Sequence, residues 1–339
     1  MKKIVELPLI EPMYGTYHYQ GPATATLAQN PSIKNWYLNQ VLILYCTHEF
    51  LNGFSSPKLG IIDSSWNANP YIGKLFYNAR LLNGCINRLI RNLIDEGCYV
   101  CFRGVDDYYI PGKSWYKELH FFHDGCICGY NQTDKTYCMY AYDSNWIYQK
   151  FWIPQRSFVR GSQAILNGEL DGEIWGIKPC SQNIEFSAAL AIEKIKEYLN
   201  SSMEKYPETA GGEIRGIIVQ NYLAKYIDKL YDSSIPYEKM DKRILRLIWE
   251  HKKVMYERIL KIEDQLSLDN FTSKQYHLVV KEADTARALY AMHGLKPHNN
   301  ILPSIKNKLL NILSEENRLL TVLIEKAERR NIKCDYGTT

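Results

Sequence analysis

The chain has 339 residues, 46% hydrophobic and 23% charged, with 41 basic and 37 acidic side chains and a net charge of +4. That length suffices for two hydrophobic cores, and the slight basic excess, with no dense Lys/Arg stripe among aromatics, argues against a nucleic-acid partner. No stretch approaches the roughly 18 apolar residues of a membrane span, so no membrane partner is expected.

The opening "MKKIVELPLIEPMYG" has only a short apolar run, broken by Glu6 and Pro8, and reads as no secretion leader. With nine cysteines, an odd number in a large chain, this points to free thiols and a cytoplasmic location. Asn30-Pro31 reads as a helix cap followed by proline at the first helical position. The apolar run "IKNWYLNQVLILYCTHEFL" then predicts one buried helix to about Leu51. "NGFSSPKLG" breaks it, and "LGIIDS" reads as a short strand. Between Tyr71 and Glu96, Leu82, Ile86, Leu89 and Leu93 form one helical stripe, closed by Gly97.

"CYVCFRGVDDYYIPG" reads as a strand entering a tight loop, which is followed by a hairpin over 120–145 and strands at "IYQKFWIP" and "GEIWGIKP". Beyond Ser181 helical patterns take over, near 183–204, 212–231, 237–266, 271–294 and 302–330, the second with a weak start at Gly211-Gly212. The expected architecture is therefore α+β. Residues 1–182 form a domain of helices packed on an antiparallel sheet, and residues 183–339 a helical bundle or cap.

The hairpin carries the first candidate chemistry. With its turn centred on Thr133, His123 and Asp143 stand opposite each other, and directly opposed Cβ atoms lie roughly 4.5–5.5 Å apart. A carboxylate beside an imidazole holds a general base in one tautomer. The pair is expected to aim at the start of the leading helix. A slip of one residue would break the opposition, and the bland alternative is a strand-end histidine and a turn aspartate. Cys46 falls deep inside the expected helix and reads as a structural thiol. The cysteine pairs at 98/101 and 126/128 sit in strand patterns rather than knuckles, so no metal site is expected. The acids of "GVDDYYIPGK" read as a solvated turn, with a pocket rim as the alternative.

"VDDYYIP", "HFFHDGCICGYN" and "YAYDSNW" resemble the acyltransferases related to the butirosin biosynthesis acyltransferase N-terminal domain. "NWYLNQVLILYC" after a Tyr/His/Gly-rich start is similar to the amide synthetases of nonribosomal thioamide antibiotic assembly, such as that of closthioamide. The resemblance covers about residues 14–180 and implies a papain-like fold with a Cys-His-Asp triad. It implies amide formation by acyl transfer from an acyl carrier protein or phosphopantetheine thioester to a small amine, with no cofactor. His123 matches the base and Asp143 the orienting acid. The nucleophile position departs from the pattern: "GPATATLAQNPS" offers Ala23, Ala25 and Ala28, of which Ala23 ranks first and Ala28 second. An engineered replacement of the thiol and a natural loss both account for this, and the otherwise intact triad favours the first. Gln20 is the implied oxyanion donor, and Tyr108, Tyr109 and Trp146 the implied substrate walls. A cysteine hydrolase on the same fold and a binding module without turnover are the alternatives.

Overall fold

The computed structural model describes residues 4–52, 59–82, 84–164, 172–200 and 213–335. Ten strands run in chain order: β1 (Ile4–Glu6), β2 (Leu44–Thr47), β3 (Leu59–Ile61), β4 (Ile72–Asn78), β5 (Tyr99–Asp106), β6 (Phe122–Asn131), β7 (Thr136–Tyr142), β8 (Tyr148–Pro154), β9 (Glu173–Pro179) and β10 (Glu213–Arg215), among the described residues. The helices are α1 (Gly21–Ala25), α2 (Lys34–Gln40), α3 (Ile86–Asp95), α4 (Gln155–Gln163), α5 (Ala188–Leu199), α6 (Val219–Tyr231), α7 (Ile244–Gln265), α8 (Phe271–Leu295) and α9 (Leu302–Asp335). The protein is a mixed α/β chain with antiparallel sheets and a helical C-terminal region.

It divides into two compact units, residues 1–34 with 63–183, and residues 35–62 with 184–339. The expected first domain is contiguous over 1–182; here residues 35–62 group with the helical unit instead.

In the first unit, seven strands form one sheet in the order β4-β9-β5-β6-β7-β8, with β1 paired to β6. One face packs on α3 and α4. Ile86, Ile90, Leu93 and Ile94 meet Phe158 and the inward residues Val100, Phe102, Ile127 and Met139. Each such aliphatic side chain contributes about 1.5–3 kcal/mol on full burial. Alternate strand residues point the other way. There the N-terminal segment crosses the sheet: Leu7 N–H donates to Cys128 O at 2.7 Å, Tyr99 Oη donates to Pro8 O, and Tyr142 Oη donates to Gly15 O at 2.7 Å. The segment therefore lays residues 15–20 and α1 across the ends of β6 to β8.

The second unit holds α5 to α9 and a small sheet, β10-β2-β3. Its interior holds a polar cluster: Lys252 Nζ lies 2.5 Å from Glu316 Oε2, and Tyr276 Oη and Gln220 Nε2 donate to the same carboxylate at 2.5 and 2.6 Å. Arg258, fully buried, donates to the carbonyls of Tyr37, Leu38 and Val41 at the end of α2.

Two sequence expectations change. The helix over 31–51 is instead a 3-10 turn (Pro31–Ile33), the short α2, and then β2. "VLILYCT" is a continuous apolar run that a buried strand and a buried helix share; pairing with β3 and β10 decides for strand. The Asn30 cap itself is present, its side chain accepting from Ser32 N–H at 3.2 Å. The stripe from Tyr71 becomes β4, a 3-10 turn (Ala79–Leu82) and α3. β4 is an edge strand with Leu75 and Phe76 about half exposed, so its pattern carries no clean alternation. The opening at Gly211-Gly212, the end of the helix expected over 183–204, and most of the "NGFSSPKLG" break lie outside the described residues.

Candidate active site

The hairpin register explains where His123 falls. Near the turn, Tyr130 pairs with Tyr137; beyond a bulge at Cys128, Cys126 pairs with Tyr140. The bulge restores the centring on Thr133, which would carry His123 toward Asp143. β7, however, ends at Tyr142. Asp143 turns into its own loop, where it accepts from Asn145 N–H at 2.8 Å, Ile147 N–H at 2.9 Å and Gln149 Nε2 at 2.6 Å. Burial pushes its pKa up, but these donors outweigh that and leave it below the usual carboxylate value. Asp143 is thus a turn-former, and the expected His123–Asp143 contact is corrected.

The carboxylate that meets His123 is Asp107. On the other side of β6, a bulge between Phe102 and Val105 sets Val105 opposite His123, so the chain leaving β5 delivers Asp106 and Asp107 to the histidine strand. Asp107 Oδ2 bonds His123 Nδ1, and its Oδ1 lies 3.5 Å from Lys113 Nζ. The Asp107 side chain is 3% exposed and that of His123 17%. Lys113 also donates to Tyr142 O at 3.1 Å. Burial lowers the Lys113 pKa, opposed by Asp107 and, more weakly, by Asp124 and Asp143.

Asp106 makes a second pair. Its Oδ2 lies 2.6 Å from His120 Nδ1, while its Oδ1 accepts from Tyr108 N–H at 3.1 Å and Phe121 N–H at 3.2 Å. The two acids read as a solvated turn are therefore both buried. The signal that finds them is the alternation itself: adjacent acids at a strand exit serve histidines three residues apart.

His18 completes the first pair's surroundings. Its ring stacks on His123 at 4.6 Å between centroids and meets the edge of Tyr142 at 5.0 Å. Phe121 packs edge-on to His123 at 4.4 Å. His18 was not singled out in the sequence, because nothing local ties it to the hairpin 105 residues away.

The remaining expected residues are placed as follows. Ala23 is fully buried in the middle of α1, and Ala28 is half-buried in the following 3-10 turn. A thiol at 23 would be sealed inside that five-residue helix. Gln20 is also fully buried; its Nε2 donates to Ser64 Oγ at 2.9 Å and its Oε1 accepts from Tyr17 N–H at 3.3 Å. Tyr108 stacks on His120 at 4.2 Å, and Tyr109 lies beneath the Arg160 guanidinium. Both tyrosines thus gather at the outer pair. Trp146 is 56% exposed on the Asp143 turn.

Two of the buried thiols, Cys46 and Cys126, are held protonated by their surroundings. Burial pushes Cys46 up to about 12 and Cys126 well above its ordinary value. Among the described residues no group of three or more His, Cys, Asp or Glu side chains could hold a metal ion, and no helix is long and apolar enough to cross a membrane.

The geometry supports acid–base chemistry: an imidazole fixed through Nδ1 by a buried carboxylate keeps Nε2 for a substrate proton. No protein-family model and no curated protein matches this chain.

Proposed function

We propose that the first unit catalyses acyl transfer from a thioester to an amine, with His123 as general base and Asp107 as its orienting acid. The observation that carries the reading is the His123–Asp107 pair, a buried carboxylate on a partly exposed imidazole. The acyl and amine classes come from the resemblance of the hairpin motifs to papain-like amide synthetases. The side-chain contacts of His123 among the described residues are with Asp107, His18 and Phe121 and include no thiol, so the transfer in this reading is direct. The amine nitrogen attacks the thioester carbonyl as His123 Nε2 takes its proton. The tetrahedral adduct then collapses, the C–S bond breaks, and the imidazolium returns the proton to the departing thiolate. Excluding water favours amine over hydrolysis, and the aromatic neighbours His18, Phe121 and Tyr142 supply an apolar lining.

A second reading, ligand binding without turnover, is favoured by one contact: the His18 ring covers a face of His123.

The test is product formation from hexanoyl and benzoyl thioesters of N-acetylcysteamine with a panel of primary amines, followed by intact-mass measurement of the protein. Direct transfer predicts amide above the buffer rate and no acylated protein. Rates equal to buffer for every donor would leave the binding reading; a kinetically competent acyl-protein would overturn the direct route.

A further inference from the structure

The hydroxyl of Tyr148 is a buried polar group near the site with no hydrogen-bond partner among the described residues. Tyr148 opens β8, and its ring edges lie against Tyr140 and Tyr142 at 4.6 and 4.9 Å between centroids. Its ring faces His18 edge-on at 6.4 Å, and His18 in turn stacks on His123. Against its other side lies the first residue of α1. A Cβ at Gly21 would fall 2.4 Å from the Tyr148 ring and hydroxyl, so only glycine lets the ring sit there. The hydroxyl oxygen is closed off from solvent, and no group among the described residues hydrogen-bonds it. Leaving a buried hydroxyl without a partner is costly, and groups left in that condition call for an occupant.

Resting on the acyl-transfer reading, we propose that the Tyr148 hydroxyl donates a hydrogen bond to the carbonyl oxygen of the acyl substrate and holds that oxygen as it becomes an oxyanion. No proton leaves the tyrosine. The amine's electron pair forms the C–N bond, the carbonyl π pair moves to oxygen, and the phenol O–H bond to that oxygen tightens. When the C–S bond breaks, the carbonyl reforms and the hydrogen bond relaxes. Burial keeps the phenol protonated, since it drives its ionisation well above the usual tyrosine range. Gln20, the implied donor, is instead spent as a brace between Ser64 and Tyr17.

The experiment is Tyr148→Phe, which removes one oxygen and keeps the ring. Three readouts are compared with wild type. Melting temperature should stay level or rise, because a partnerless buried hydroxyl is replaced by hydrogen. Affinity for hexanoyl and benzoyl ketone analogues of the N-acetylcysteamine thioesters, with methylene in place of sulfur, should fall about tenfold, whereas His123→Gln should change it less than twofold. In turnover, kcat should fall about a hundredfold with KM little changed. A lower melting temperature would show the hydroxyl to be structural and overturn the proposal, as would unchanged ketone affinity in Tyr148→Phe or no ketone binding by wild type. Ketone binding that depends on Tyr148, in a protein that forms no amide, would uphold the hydroxyl's role and refute the acyl-transfer reading.

Discussion

Asp107 and Asp143 are both aspartates beside the same histidine strand, and their surroundings give them opposite tasks. Asp143 accepts from three donors at residues 145–149, an arrangement that closes a turn and ties the carboxylate to its own loop. Asp107 divides its oxygens between a histidine and a buried lysine. Asp143→Ala should therefore cost stability, about 1–3 kcal/mol from the stranded donors, measured by urea unfolding. Because hydrogen bonds hold the Asp143 pKa below its unfolded value, that contribution is present above the unfolded pKa and is lost as pH falls through the folded one. An equal loss for Asp143→Ala and wild type on acidification would contradict this account of the turn.

Among the elements, β1 depends on a missing side chain. A Cβ at Gly129 would lie 2.5 Å from Val5 O and 3.0 Å from Glu6 Cα, so the strand reaches β6 only across glycine. Gly129→Val should lift β1 off the sheet. Its signature is loss of hydrogen-exchange protection at Leu7 N–H, which donates to Cys128 O, with β5 to β7 still protected; retained protection at Leu7 would refute it. Legibility follows the same division between local and distant causes. The hairpin over 120–145 and the strands at β5, β8 and β9 were readable, since turn residues and alternation are local signals. So was α3, from its 3–4 spacing. β2 was not, because partners at 59–61 and 213–215 decide between strand and helix for an ambiguous run. His123 was readable as a candidate base. Its acid was misassigned because register fixes which residues face each other but not where a side chain at a strand's end turns. His18 required the path of the N-terminal segment, which no local pattern encodes.

For the molecule as a whole, each unit carries a group whose contribution acid removes, Asp143 in the first and His251 in the helical one. In the helical unit His251 is buried, its Nε2 donating to Leu42 O at 2.8 Å and its Nδ1 near Lys252. Burial, then Lys252, holds its pKa down from 6.5 to about 3. The native state therefore refuses a proton that the unfolded chain accepts once pH drops below 6.5. Stability from this group is complete above that pH and declines from there toward about 3. His251→Gln, which keeps a donor for Leu42 O, should flatten that decline in chemical unfolding followed from pH 7 to 4. An unchanged slope would contradict it.

The chemistry proposed for the first unit rests on His123 working through Asp107. The most direct measurement is the rate of amide formation from acyl thioester and amine by wild type, His123→Gln, Asp107→Asn and Asp143→Asn, each shown folded at the assay temperature. The account predicts losses of about a hundredfold or more for His123→Gln and Asp107→Asn, and a rate within a few fold of wild type for Asp143→Asn. A full rate in Asp107→Asn alongside a collapse in Asp143→Asn would contradict it.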